Sequence, residues 1–67
     1  MAGHNVLSEM GRLHLTRPAA DAAPVELAGW YERKAAMLEH LTAAGVTGAA
    51  EQATRAHEHA AQLLAVA

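Results

Sequence analysis

The sequence predicts an all-α protein: an antiparallel helical hairpin that pairs with a second copy as a dimeric four-helix bundle. Three observations lead there. The stretch Leu27–Leu41, LAGWYERKAAMLEHL, places Leu27, Trp30, Tyr31, Leu38 and Leu41 within roughly a third of a helical circumference. Ala35 and Met37 sit at its margins, and Glu32, Arg33, Glu39 and His40 fall on the other side. A glycine-bearing break, Gly45-Val46-Thr47-Gly48, follows. Beyond it Ala49, Ala53, Ala56, Ala60, Leu63, Leu64 and Ala67 share one helical face, with Glu51, Thr54, Arg55, Glu58 and Gln62 mostly opposite.

Composition bounds what such a chain does. At 67 residues it is one small domain. A chain of this size buries only about 60% of the surface its unfolded form exposes, so a lone core is marginal. It has no cysteine, which removes disulfides and thiolate metal sites together. Trp30 and Tyr31 are the only aromatic residues, so the core is expected to be aliphatic and alanine-rich. The net charge is −2 and the lysines and arginines are scattered along the chain. Phosphate backbones call for clustered positive charge, so nucleic acid is disfavoured as a partner. No apolar run approaches the roughly 18–20 residues needed to span a bilayer. The opening MAGHNVLSEMGR lacks a basic start followed by an apolar run, so no secretory signal and a cytoplasmic location are expected.

Residues 1–20 form an N-terminal segment with three open readings. Val6, Leu7, Met10 and Leu13 have helical spacing behind a possible Asn5 cap, weakened by Gly11. Leu13 and Leu15 alternate with His14 as in a short strand, which would need another subunit to pair with. The third reading is partial disorder. Arg17-Pro18-Ala19-Ala20 is a connector, because Pro18 pushes Arg17 out of the helical region.

The hairpin occupies 21–67, with helices expected at about 22–44 and 48–65. Asp21 is the expected N-cap, Pro24 is tolerated in the first turn, and Glu26 complements the positive helix end. Gly45 is placed to adopt the left-handed conformation that ends the first helix, with Val46 folding back on Leu41. Thr47 is the candidate cap for the second. Glu51 and Arg55 stand in the favourable i,i+4 order. Antiparallel packing places Leu38 over Ala53, Trp30 and Tyr31 near Ala60, and Leu27 near Leu63 and Leu64.

An alanine-lined helix is too narrow to cover that ridge. Trp30, Met37 and Leu41 overhang one flank and Tyr31 the other. At about 25 cal/mol per Å², leaving them wet forfeits several kcal/mol, comparable to the whole stability of a small domain. A homodimer is the expected remedy, with Leu27, Trp30, Tyr31, Lys34, Met37, Leu38 and Leu41 as the dimer or partner interface. Lys34 interrupts the stripe. It either snorkels its ammonium to water, pairs with Glu58 or Glu51 of the other copy, or faces a ligand beside Trp30. The last has no second polar group converging with it in the sequence.

Chemistry is sparse. Among five histidines, His57 and His59 are two apart and diverge, His40 lies on the other helix, and His4 and His14 sit in the N-terminal segment. Zinc needs three or four converging ligands, so no metal, cofactor or catalytic residue is expected. A pH response through His57 and His59 at a subunit seam would show as dimer loss between about pH 7 and about pH 5.5. Glu32 and Glu39 read as solvated carboxylates. No nucleophile–base pair or phosphate loop is visible, and a hairpin leaves little room for a substrate pocket. The second helix has Glu51, Glu58 and only Arg55 as a fixed cation, poor chemistry for a DNA-reading helix.

The run WYERKAAMLEHL followed by an alanine-rich helix resembles small uncharacterised helical-hairpin proteins of high-GC actinobacteria, including their plasmids and phages. The likeness covers roughly residues 25–64 and brings no site residues. It implies an accessory or regulatory protein rather than a metabolic enzyme. The expected function is a non-catalytic module that dimerises and binds another macromolecule, an unidentified protein. The alternatives are a nucleic-acid-associated regulator of a mobile element and a histidine-based metal carrier.

Overall fold

A computed structural model describes residues 6–67, with side chains from residue 8 onward. Three helices follow in order: α1 (Val6–Leu15), α2 (Pro24–Ala43) and α3 (Ala49–Ala65). α2 and α3 pack as a hairpin and α1 packs on α2. Among the described residues there is no strand.

The N-terminal segment is therefore helical over Val6–Leu15, and the strand reading of 12–16 falls. Burial shows why: a strand would set Leu13 and Leu15 on one face, yet Leu13 is 6% exposed and Leu15 87%. Two residues apart on a helix they point about 200° from each other. The proposed Asn5 cap and the His4 side chain lie outside the described residues, as do the side chains of Val6 and Leu7.

α2 begins later than expected. Its N-cap is Ala23, without a side-chain hydrogen bond, and Asp21 does not cap it. Pro24 takes the first helical position, where its fixed φ suits the helix and its missing N–H is no loss. The end of α2 follows the sequence expectation. Gly45 has φ +87°, its N–H donates to the Thr42 carbonyl at 3.0 Å, and the Val46 N–H donates to the Leu41 carbonyl at 3.0 Å. This pairing satisfies two of the last free carbonyls. α3 is entered through Gly48 at φ +84°, not through a Thr47 cap.

Between α2 and α3 the buried cluster is Ala35, Leu38, Ala53 and Ala56, and Ala49 and Ala60 are buried as well. Small side chains on α3 let the helices close, as expected. The remaining flank of the ridge is where structure and expectation part. Trp30 is completely buried and Leu38 is 5% exposed within this single chain. α1 supplies the cover: Leu13 is buried above Trp30, Met37 shares a depression with Leu13 and Thr16, and Met10 packs with Leu41 against the central cluster. Trp30 therefore needs no second copy for its burial, because α1 of the same chain covers it.

Trp30 is also held by direction. Its Nε1–H donates to the Leu13 carbonyl at 2.9 Å, in the last turn of α1. An indole in a core needs such an acceptor, and the α1 terminus provides it.

Candidate functional site

The seam between α2 and α3 has two edges of opposite character. At one edge, His57 of α3 sits between two carboxylates of α2. Its Nδ1 lies 2.9 Å from Glu32 Oε1 and its Nε2 lies 2.8 Å from Glu39 Oε2. Glu32 and Glu39 are seven apart, two helical turns on one face, so a single ring bridges them. Both stay exposed, as read from the sequence, but each is engaged by His57. The carboxylates lie at opposite ends of the imidazole and do not converge on one point. No group of three histidine, aspartate or glutamate side chains among the described residues is arranged to hold a metal ion.

Both ring nitrogens donate when the imidazole is protonated, so the clamp favours the charged form. The Glu39 hydrogen bond, foremost, raises the His57 pKa above its ordinary 6.5; desolvation opposes it, and the charge and hydrogen bond of Glu32 and the charge of Glu39 add to the rise. The contribution to stability is then full below about pH 6.5 and fades as pH rises through the raised folded value. Acid tightens this contact, which lies within one chain and not at the subunit seam considered from the sequence. We expect the urea midpoint of the wild type, measured relative to His57→Gln, to fall between about pH 6 and about pH 8. A difference that grows with pH would contradict the clamp.

The other edge is cationic. A groove of about 390 Å³ is lined by Arg17, Tyr31, Lys34, Gln52, Arg55, Ala56 and His59. Each comes from a separate local cause. Tyr31 and Lys34 are three apart on α2, and Gln52, Arg55 and His59 follow helical spacing on one edge of α3. Arg17 arrives from the connector after α1, so it reaches the groove only because α1 is docked on Trp30.

Ring contacts organise the groove. Tyr31 and His59 stack at 4.1 Å between centroids and 23° between planes. Tyr31 meets Trp30 edge to face at 5.0 Å. Arg17 donates from Nη2 to the Tyr31 hydroxyl at 3.1 Å. The Arg17 guanidinium and the Lys34 ammonium stand 5.2 and 5.5 Å from the centroid of the Trp30 ring, within cation–π range. Lys34 is half-buried and lines the groove, and polar groups converge with it there. That corrects the objection raised from the sequence against a ligand-facing role. Among the described residues no ion pair engages Arg17, Lys34 or Arg55. The Glu51–Arg55 pair anticipated along α3 is not formed, and Arg55 lines the groove instead.

Of the seven interface residues named from the sequence, Tyr31 and Lys34 line this groove. Leu27 lines an adjoining depression, and Met37 and Leu41 are half-buried on the α1 side. Trp30 and Leu38 are inside the fold and offer no surface. Gln52, Arg55 and His59 were missed although their spacing was readable; Arg17 had no sequence signal at all. No helix among the described residues is long and apolar enough to cross a membrane. Compared with protein-family profiles, with curated proteins and with solved structures, the chain matches none. Fold and groove define a class only: a small three-helix protein with one cationic, aromatic-walled edge.

Proposed function

We propose that the protein is a non-catalytic binding module that recognises an anionic group on another macromolecule through the groove of Arg17, Lys34 and Arg55. The observation carrying this reading is the gathering of three formal positive charges, none ion-paired among the described residues, in a chain whose net charge is −2. Two of them are arginines, whose planar forks match carboxylate and phosphate geometry. The groove wall adds hydrogen-bond donors and aromatic edges, and its one hydroxyl, that of Tyr31, already accepts from Arg17 at 3.1 Å, which supports binding over catalysis.

The test is a titration with acetate and with inorganic phosphate, followed through the ring resonances of Tyr31 and His59. Both anions are expected to shift those signals. The double variant Lys34→Gln/Arg55→Gln, with helicity checked by circular dichroism, is expected to bind at least about tenfold more weakly. Equal shifts in the wild type and the double variant would reject the groove as the site.

A homodimer is a second reading, on different ground from the ridge. Leu15 and Val25 leave 87% and 62% of their surface exposed, apolar area that a second copy would cover. Sedimentation equilibrium of the wild type and Leu15→Gln decides it: a dimer that the substitution dissolves supports pairing, and a monomer at micromolar concentration dismisses it.

A further inference from the structure

The geometry points to the class of ligand: a peptide segment of a protein partner that carries a carboxylate next to an apolar side chain. This rests on the anion-binding reading and refines it. The cationic groove is not isolated. A second depression, of about 320 Å³, adjoins it and shares Arg17, Tyr31 and His59 as common wall. Its remaining lining is Pro18, Ala20, Leu27 and Leu63, all apolar. A ligand laid across the Tyr31–His59 stack therefore meets positive charge on one side and hydrocarbon on the other.

Two features favour a peptide carboxylate over a nucleic-acid backbone. A phosphodiester strand presents a row of charges at regular intervals, and three cations in one groove beside an apolar hollow match one or two charges, not a row. Single strands also stack their bases on open aromatic faces. Here one face of Tyr31 is taken by His59, and the Trp30 ring is completely buried. A carboxylate in the arginine fork with a leucine-sized side chain over Leu27 and Leu63 uses both halves of the site.

The experiment uses short acetylated peptides ending in leucine with a free carboxylate, against three comparators. These are the same peptide as its carboxamide, the same peptide ending in alanine, and a short oligothymidylate. Binding is read from Tyr31, His59 and Leu63 resonances of the full chain. The leucine acid is expected to bind at least about tenfold more tightly than its amide and several-fold more tightly than the alanine acid. Leu63→Gln, at a half-exposed position, is expected to abolish the leucine preference while leaving phosphate binding unchanged. Equal affinity for leucine and alanine acids would overturn the inference and leave the anion-binding reading standing. Tighter binding of the oligothymidylate would overturn it in favour of nucleic acid. Failure of acetate, phosphate and every peptide to bind would remove both.

Discussion

Trp30→Ala is expected to cost about 3–5 kcal/mol, enough to leave much of the population unfolded in a domain of this size. The side chain has no exposed surface, and it joins α1, α2 and the connector at one point. Its removal opens a cavity beneath Leu13 and takes away the indole donor to the Leu13 carbonyl. It also removes the ring on which His14, Tyr31, Arg17 and Lys34 converge. Because Arg17 reaches the groove through α1, release of α1 is expected to weaken anion binding even in the molecules that stay folded. Trp30→Phe separates the contributions. It keeps most of the apolar volume, and the Leu13 carbonyl still accepts from the Thr16 N–H at 3.0 Å and the Thr16 hydroxyl at 2.9 Å. The loss should then be about 1 kcal/mol beyond the packing change. Urea melts of both variants, monitored by circular dichroism, check the pair. An alanine variant as stable as the wild type would mean that α1 does not need the indole.

Ala35→Leu is expected to cost about 1–3 kcal/mol, although it adds hydrocarbon and keeps a strong helix former. Ala35 is completely buried where α2 meets α3, in one cluster with Leu38, Ala53 and Ala56. The added branch has nowhere to go unless the helices separate. Separation would also draw His57 from Glu32 and Glu39, and His59 from Tyr31, so the two seam edges should loosen together. The informative control is Ala36→Leu, one residue along on an exposed position, which should be close to neutral. Thermal melts of the two variants give the comparison. Equal melting temperatures for Ala35→Leu and the wild type would show that the α2–α3 spacing is not set by alanine packing.

The hairpin was legible because its signals are local. Gly45 announces the end of α2 through a backbone conformation that only glycine adopts cheaply, and the alanine face of α3 is a pattern within one helix. Leu38 against Ala53 and Leu27 beside Leu63 followed from antiparallel register alone. α1 was harder, since ten residues containing Gly11 form a helix only when something packs on them. That something is Trp30, seventeen positions from Leu13. A contact at that separation has no local signature, so the sequence shows that Trp30 needs cover but not that α1 supplies it. The carboxylate clamp was missed for a related reason. Glu32 and Glu39 look solvated on a single helix wheel, and only the neighbouring helix reveals which edge of that face is a seam.

Periodicity, small-residue faces and glycine stops act over a few residues, so helix identity, the turn and the alanine-lined packing follow from the order of amino acids. Which flank α1 covers, and that Arg17, Lys34 and Arg55 meet in one groove, depends on side chains brought together across the fold. A contact between distant positions has no spacing to be read, because it is selected by the total burial and charge of the assembled helices rather than by any one of them.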